Sequence, residues 1–501
     1  MFKKLLRLLV SPCPISLGWL PWVICFGGLF IEITFCYPGQ CGNDPLTQFF
    51  QAENGIIGDW HPPIMAATWQ VVRFAVHTLT GERIIGNGIM WGLYVSFLWA
   101  GFFLVLSSAK NFWRNSESYQ KNYLLVLCSA ALLLWLCIDL FMIGMSLSKD
   151  VGFLGSYLIV TGCLLRIPAA RKSRWIFYVV AATFLFYGTA LRHNAIFAAI
   201  PFLCWLVWLI APQKKLRTII PAGLILWCVL LAGIHYVNYG IIKAVRLHAL
   251  QEIFYCDIFH LNALTNRFVL PPNGFGNDFS RLNETIFRQT FDGNQLYVRE
   301  CFKNFNEGKT WENQLILDRS TFVPCSPVQM DMEQKHIDEI IRHFPLATNI
   351  VAVDADFVRQ QYSKDMAVLK TVWIKRVCDA PIAYLKFKAR FFLKLCRDNY
   401  ICFGRFNAIM LFPLCFMILL YSFSKRLLNP NLFPCVMLMW SGCLYLAPLF
   451  LFLPSDIIRY LYWFYAASFI SIALFCANSP LFAEITQTVQ RYWERKIDEM
   501  S

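Results

Sequence analysis

Charged residues are scarce in this chain, and their scarcity indicates the class of protein. They make up 15% of the sequence, while hydrophobic residues make up 57%. A soluble domain carries about 25% charged residues, so this composition excludes a soluble globular protein and predicts a multispanning membrane protein. The chain also lacks internal repeats and low-complexity tracts. We expect no removable signal peptide, because the first apolar run, Ile15–Cys36, is long enough to remain as a span.

Long apolar runs, by contrast, are abundant. A helix needs roughly 20 apolar residues to cross the hydrocarbon core of a bilayer. The runs therefore predict an all-α polytopic fold with about ten transmembrane helices. The predicted spans are 15–36, 84–108, 122–147, 151–167, 175–191, 195–211, 218–238, 406–423, 432–453 and 460–478.

Positive charge alternates between the loops that join these spans. Lysine and arginine are enriched in cytoplasmic loops, so the alternation predicts an even number of spans with both termini in the cytoplasm. It also accounts for the net charge of +14 without nucleic-acid binding. The basic residues concerned are Lys3, Lys4, Arg7, Lys110, Arg114, Lys121, Arg166, Arg171, Lys172, Arg174, Lys214, Lys215, Arg217, Lys425, Arg426, Arg491, Arg495 and Lys496.

One long polar segment interrupts the spans. Residues 239–405 are too long for a plain linker and predict an external domain, α-rich or mixed, between spans seven and eight. Its last part, Pro381 to Arg397, interleaves aromatic and basic residues, as expected of an amphipathic helix on the membrane surface. The predicted organisation is a transmembrane core at 1–238 with an external loop at 37–83, the external domain at 239–405, three further spans at 406–478, and a cytoplasmic amphipathic tail at 479–501.

The first external loop holds the candidate catalytic acids. Asp44 and Asp59 lie outside the first span, where a carboxylate can take a proton from an acceptor hydroxyl. Two simpler roles remain open: Asp44 before Pro45 can cap a helix, and Asp59 can shape a turn. His61 can bind phosphate or a metal, or be only hydrogen-bonded. The second half of the loop predicts a helix in the interface plane from Ala66, Trp69, Val72, Val76 and Leu79.

The other external turns each carry a single cation. Lys149, Arg192 and Arg459 all lie at the outer membrane boundary, against the orientation bias. They can reach toward lipid headgroups, or they can converge on the phosphate of a membrane-borne donor. Asp150 and Asp456 can pair with these cations, and His193 can contact the same anion.

Other polar features are open at this stage. Asp139 lies inside the third span, where it can relay protons or pack in the bundle. Glu32, near the outer end of the first span, is more easily tolerated close to the interface. Cys36 and Cys41 form a disulfide or remain two thiols. The sequon Asn283-Glu284-Thr285 is a weak match.

These features together resemble the GT-C class of integral-membrane glycosyltransferases. That group includes protein O-mannosyltransferases and lipid A aminoarabinose transferases, and this chain looks most similar to its uncharacterised bacterial branch. The likeness covers 1–211 and, more loosely, 430–478, but not 239–405. The matching features are Asp44, the turn His61-Pro62-Pro63, Lys149-Asp150, Arg192-His193-Asn194 and Arg459-Tyr460.

The resemblance implies an inverting transfer of sugar from a polyprenyl-phosphate donor to an envelope acceptor on the outer face of a bacterial inner membrane. It implies Asp44 as the base and Asp59 as a supporting acid. The acceptor would be a glycolipid, a polysaccharide or a protein, and a metal is not indicated. The residues implied in substrate binding are His61, Lys149, Arg192, His193, Arg459 and Tyr460.

One position departs from the family pattern. Many relatives have a glutamate beside the first acid, where this chain has Pro45, so Glu53 or Asp59 would have to compensate. Two other readings stay open: a transporter or flippase for a lipid-linked or anionic substrate, and a non-catalytic membrane scaffold. A transporter would have polar residues deep in several spans and broken helices in paired positions. Asp139 is a polar residue of the first kind, and no paired broken helices are evident.

Overall fold

The computed structural model describes most of the predicted membrane region. It covers residues 19–41, 43–55, 57–81, 85–114, 123–170, 172–212, 214–246, 369–401, 406–424, 432–452 and 458–478, with isolated positions at 250, 253–254, 257–258, 261, 265, 323–324, 367, 488 and 495. Several predictions lie outside the described residues: those for the first 18 residues, most of 239–405 with the sequon at 283–285, Asp456, and most of the tail at 479–501.

The described chain is mostly helical and has the helices of a membrane protein, as the composition predicts. Five helices are long and apolar enough to cross a membrane: Gly88–Ala109, Lys149–Ala169, Leu216–Ile241, Phe433–Phe452 and Ile458–Cys476. Each of the other predicted spans overlaps a shorter apolar helix: Leu20–Cys36, Ser129–Gly144, Arg174–Ala190, Ala195–Ile210 or Ala408–Tyr421.

The first half of the fold alternates long helices with short connections. Its elements are α1 (Leu20–Cys36), β1 (Gln40–Cys41), α2 (Asn43–Asn54), α3 (Pro63–Thr80), α4 (Ile85–Arg114), α5 (Tyr123–Gly144), β2 (Ser146–Leu147), α6 (Lys149–Arg166), α7 (Arg174–Ala190), α8 (Ala195–Ile210) and α9 (Leu216–His235). A 3-10 turn follows α6 at Ile167–Ala169, and a π-helical turn follows α9 at Tyr236–Ile241.

The second half has one strand from the long polar segment and then a further group of helices. Its elements are β3 (Val323–Pro324), α10 (Pro381–Asp398), β4 (Tyr400–Ile401), β5 (Phe406–Asn407), α11 (Ala408–Ser424), α12 (Phe433–Leu446), α13 (Leu449–Phe452) and α14 (Tyr462–Asn478). A 3-10 turn at Ile458–Leu461 leads directly into α14.

Helix α6 is the central helix of the bundle, and α4 packs closely along it. Small residues allow that approach: a Cβ at Gly155 would lie 2.6 Å from the Leu98 nitrogen, and one at Gly162 would lie 2.4 Å from the Leu104 Cβ. Close helix contacts of this kind are typical of membrane proteins, where packing replaces the hydrophobic drive between helices. Nearly all of α6 is buried, so its N-terminus is held rigidly.

A small sheet joins the first loop to that N-terminus. Strand β1 pairs in parallel with β2, with Gln40 opposite Ser146 and Cys41 opposite Leu147, and antiparallel with β3. The chain enters β1 through Gly39, whose φ of +87° and contact with the Trp91 ring leave no room for a side chain. Because α2 follows β1 and α6 follows β2, the sheet sets Asp44 beside Lys149.

Helix α14 is fixed by buried polar contacts that reach two other helices. Trp463 Nε1 donates to Ser441 Oγ at 2.9 Å, and Ser441 Oγ donates to the Ala198 carbonyl at 2.7 Å. These bonds tie α14 to α12 and α8 in an apolar surrounding, where an unmade hydrogen bond is costly. The 3-10 turn that carries Arg459 and Tyr460 is therefore attached to a well-anchored helix.

One local prediction needs correction. Lys149 and Asp150 were expected in a tight turn, but they form the first residues of α6, after Ser148 in extended conformation. Glu32, near the end of α1, is fully buried and accepts a hydrogen bond from Trp99 Nε1 at 2.5 Å. The indole gives the carboxylate a polar partner inside the bundle, which makes burial tolerable. Cys36 carries a free thiol.

The predicted amphipathic helix at 381–397 forms as α10, but its basic residues do not share one face. Lys386 and Arg390 are exposed, whereas Lys388 and Lys394 are buried. Lys388 Nζ lies 2.5 Å from Asp257 Oδ1, and this ion pair compensates its removal from water. The exposed stripe is instead completed by Ile382, Leu385 and Leu393.

The predicted interface helix of the first loop forms as α3. Ala66, Trp69 and Val76 are buried against the bundle, while Leu79 is 83% exposed. Val71 and Phe74 are also exposed, so α3 presents one apolar face to the bundle and another outward. Such a helix suits the membrane boundary.

Candidate active site

The carboxylate of Asp44 lies at the centre of a cluster drawn from distant parts of the chain. Its Oδ2 accepts a hydrogen bond from Arg459 Nη1 at 2.6 Å and lies 3.4 Å from Lys149 Nζ. His61 Nε2 lies 3.8 Å from the other oxygen, Oδ1. Helix α2, the turn before α3, the start of α6 and the turn before α14 each supply one residue. All four segments end at the same side of the helix bundle.

His61 and Lys149 contact each other directly. Lys149 Nζ lies 2.8 Å from His61 Nδ1. An ammonium group only donates hydrogen bonds, so Nδ1 accepts and the ring proton of the neutral imidazole is on Nε2. The Nε2–H group therefore faces Asp44 Oδ1. The two prolines that follow His61 restrict the backbone at the start of α3, whose first residue is Pro63.

The electrostatics of the cluster favour a charged Asp44 and a neutral His61. Burial would raise the pKa of Asp44, but the charges of Lys149 and Arg459 outweigh it and hold that pKa well below its usual range. Burial and the Lys149 charge lower the pKa of His61 to about 3. In its resting form, Asp44 is therefore a weak base whose negative charge is balanced by two cations.

A second ion pair supports the first. Arg192 is paired with Asp150, and their side chains are 5% and 3% exposed. The Arg192 guanidinium lies over the Tyr460 ring at 5.0 Å, and the Arg459 guanidinium lies 5.6 Å from the same ring. Cation–π contacts of this kind are directional. Asp150, Arg192 and Tyr460 thus form a stack that positions Arg459.

The structure gives Arg192 a different setting from that of the other cations. The sequence groups Lys149, Arg192 and Arg459 as phosphate binders. Arg192 has its own buried carboxylate partner, Asp150, whereas Lys149 and Arg459 share Asp44. The geometry therefore favours a positioning role for Arg192.

Asp59 belongs to a neighbouring group. Tyr239 Oη donates to Asp59 Oδ2 at 2.8 Å, and the Arg246 guanidinium lies 4.7 Å from the Tyr239 ring. The backbone reinforces this contact: Gly58 pairs with Val245 in a parallel bridge, and the Asp59 amide donates to the Val245 carbonyl at 2.9 Å. The segment after α9 therefore holds the loop that carries Asp59 through both side-chain and backbone hydrogen bonds.

His193 lies between the two groups. Its side chain is exposed and lies beside the Trp60 backbone, and both Asp59 and Lys149 are in electrostatic range. All eight residues that the sequence analysis names as catalytic or substrate-binding thus lie in one region. Their roles in catalysis and binding remain predictions.

Three alternatives can be judged on this geometry. Asp44 lies in the first turn of α2, which begins at Asn43, and its carboxylate contacts Lys149 and Arg459 on other elements. Glu53, a candidate to replace the missing second acid, pairs with Arg73 at 2.9 Å and ties α2 to α3. Asp139 is half-buried in α5 and lies within electrostatic range of Tyr462 on α14.

Sequence reasoning missed Tyr239 and Arg246. Both follow the seventh span in a stretch that looks like the start of a linker, and the only local signal is a pair of aromatic residues, Tyr236 and Tyr239. The π-helical turn that presents Tyr239 has no sequence pattern of its own, although such turns are frequent at functional sites.

Within the part of the chain that the structure describes, no group of three or more histidine, cysteine, aspartate or glutamate side chains is placed to hold a metal ion. Comparison of the chain with protein-family models, with curated proteins and with solved structures finds no match.

Proposed function

We propose that this chain is an inverting GT-C-type glycosyltransferase that moves a sugar from a polyprenyl-phosphate donor to an envelope acceptor. The proposal includes ten membrane spans, cytoplasmic termini, and a site on the outer face of a bacterial inner membrane. One observation carries it: a carboxylate with two cations and a histidine, from four distant segments, at one end of a bundle of apolar helices.

The reaction assigns each part of the cluster a task. A hydroxyl oxygen of the acceptor attacks the anomeric carbon of the donor while the bond from that carbon to the phosphate oxygen breaks. The hydroxyl proton passes to Asp44, and polyprenyl phosphate leaves with the bonding electrons. Attack from the face opposite the leaving group inverts the anomeric centre, so a single base is sufficient.

The cations suit the charge that this reaction develops. The donor phosphodiester carries one negative charge, and the departing phosphomonoester gains a second. Lys149 and Arg459 would stabilise that growing charge, because donors placed before the reaction act most strongly where charge appears. The cluster and the neighbouring pair of Arg192 and Asp150 together hold three cations and two carboxylates, which leaves one positive charge for a phosphodiester.

The membrane setting supports a lipid-borne donor. The cluster lies at the ends of apolar helices, and α3, which follows His61 and Pro62 directly, presents exposed apolar side chains. A polyprenyl chain can remain in the bilayer while its phosphate reaches Arg459. Asp59, His61, His193 and Tyr460 are proposed to contact the sugar or the acceptor. The acceptor itself is a glycolipid, a polysaccharide or a protein.

The test is a comparison of cell-envelope products in a strain that lacks this gene. Mass spectrometry of envelope glycans and glycolipids should show the loss of one sugar increment. The wild-type gene should restore it, the Asp44→Asn gene should not, and both proteins should reach equal levels in the membrane. Glu53→Gln is the matched control, since Glu53 is an acid of the same helix engaged by Arg73. An unchanged envelope in the deletion strain contradicts the proposal.

A further inference from the structure

The two cations proposed to hold the donor phosphate are already engaged in the resting protein. Arg459 Nη1 and Lys149 Nζ both contact the same oxygen, Asp44 Oδ2, at 2.6 and 3.4 Å. Lys149 is also nearly buried, with 9% of its side chain exposed. A phosphate that approached these groups would meet a carboxylate in the position that it needs.

Arg192 offers no substitute for the engaged pair. It is buried and holds Asp150, and its guanidinium lies against Tyr460. Taking Arg192 away from Asp150 would leave a buried carboxylate without its counterion, which costs several kcal/mol. Asp44 is less enclosed, with 23% of its side chain exposed, so its pairing is the one that a ligand can replace.

We propose that Asp44 occupies the phosphate position on Lys149 and Arg459, and that donor binding displaces it and frees it to act as the base. This inference rests on the proposed function. The exchange conserves charge, since one carboxylate gives way to one phosphodiester. It also couples the steps in order, because the base becomes free only when a donor is present.

His61 gives the displaced carboxylate a new partner. Its Nε2–H points toward Asp44 Oδ1 from 3.8 Å, beyond hydrogen-bond distance. A small movement of Asp44 away from the cations would close that gap. Lys149 holds the imidazole in the required tautomer through Nδ1, so His61 acts as a positioning residue for Asp44.

The exchange makes Asp44 a stronger base. While Lys149 and Arg459 contact it, their charges hold its pKa well below the usual range. When those cations turn to a phosphate, their attraction for the carboxylate falls and the pKa of Asp44 rises toward the ordinary value. A carboxylate of higher pKa is a stronger acceptor for the hydroxyl proton.

The test is binding of farnesyl phosphate, a short polyprenyl monophosphate, to the purified full-length chain in detergent. If Asp44 competes for the cations, Asp44→Asn removes the competitor and should bind the probe at least about fivefold more tightly than wild type, at the low end of typical coupling between sites. Farnesol, which lacks the phosphate, should bind both proteins equally. Glu53→Gln should bind the phosphate probe as wild type does.

The possible outcomes separate the exchange from the function itself. Equal or weaker binding of farnesyl phosphate by Asp44→Asn, with clear binding by wild type, overturns the exchange and leaves the proposed function standing. Tighter binding of both probes also overturns it, because the gain would not depend on phosphate. If neither protein binds farnesyl phosphate, the exchange and the proposed function both fail.

A second measurement uses the wild-type protein and does not depend on the variant being folded. Infrared difference spectra with carbon-13-labelled aspartate should show a shifted carboxylate band when farnesyl phosphate is added. The shift should be absent with farnesol. An unshifted aspartate band with bound farnesyl phosphate overturns the exchange.

Discussion

Arg459 Nη1 lies 2.6 Å from Asp44 Oδ2, although 415 residues separate the two in sequence. The contact joins the first loop of the chain to the turn before its last described helix. Lys149, at the start of the central helix α6, lies 3.4 Å from the same oxygen. The carboxylate of Asp44 is thus placed between two cations that come from distant parts of the chain.

Replacing Arg459 should remove stabilisation of the leaving phosphate. Arg459→Gln is expected to lower the rate of transfer by about 100-fold or more, in line with the loss of one preorganised donor. Arg459→Lys keeps the charge but lacks the planar guanidinium, so its rate of transfer should lie between those of the wild type and Arg459→Gln. Single-turnover transfer in membrane vesicles measures both. Arg390→Gln, an exposed position on α10, is the control, and a loss below about threefold in Arg459→Gln would contradict this role.

The activity should not titrate with His61 near neutral pH. Burial and Lys149 lower the pKa of His61 to about 3, so the imidazole is neutral above about pH 4 and gains a proton only in stronger acid. A plot of kcat/KM against pH reports groups of the free protein. Between pH 5 and 8, the plots for the wild type and for His61→Gln should have the same inflections. An inflection near 6.5 that disappears in this variant would show that His61 is not held neutral.

Tyr239 should matter through the loop that carries Asp59. Tyr239→Phe removes the hydrogen bond to Asp59 Oδ2, and a bond to a charged group contributes roughly 1.5–3 kcal/mol. We expect transfer to fall about tenfold or more, with little change in protein level. Tyr236→Phe is the matched control, because Tyr236 lies in the same π-helical turn and is 66% exposed. Equal activity of the two variants would remove Tyr239 from the account.

The buried pair of Lys388 and Asp257 should stabilise the fold without taking part in transfer. Burial raises the pKa of Asp257, while Lys388, Trp373 and Tyr384 favour its charged form. Lys388→Met leaves that carboxylate without its counterion and should cost roughly 3–5 kcal/mol of unfolding free energy. Adding Asp257→Asn removes the charge but keeps an acceptor for Trp373 Nε1 and Tyr384 Oη, and should recover more than half of the loss.

Denaturant unfolding in detergent measures this pair. Lys386→Met is the control on the same helix, because Lys386 is exposed. If the Asp257→Asn/Lys388→Met protein were less stable than Lys388→Met alone, the uncompensated charge would not be the cause of the loss.

The apolar helices follow from the sequence, and so does the expectation that the cluster residues share one side of the membrane. An apolar run such as 195–211 has no alternative to a helix in a bilayer, because every backbone polar group must be satisfied within the segment. Asp44, Lys149 and Arg459 follow from the same reasoning, because alternating basic loops assign them to one side of the membrane. That reasoning places the three side chains on the same side of the membrane but does not give the distances between them.

The pairing within the cluster could not be predicted in the same way. Arg192 is the single cation of a short turn, and Lys149 is the first residue of α6. Arg192 reaches Asp150 because α7 packs against α6, and the pairing of β1 with β2 sets Asp44 beside Lys149. Lys388 shows the same limit. It lies two residues from both Lys386 and Arg390 and therefore on a different face of the helix, and its partner, Asp257, lies far away in sequence.

Conversion of a phosphodiester to a phosphomonoester is the most direct test of glycosyl transfer at Asp44. The purified chain, reconstituted in vesicles with envelope lipid extract that contains polyprenyl-phosphate sugars, can be followed by phosphorus NMR. We predict that the phosphodiester signal falls as the phosphomonoester signal rises, and that Asp44→Asn slows the conversion by about 100-fold or more, as expected for loss of a general base. Equal rates for wild type and Asp44→Asn, or an unchanged phosphodiester with wild type, would contradict the account.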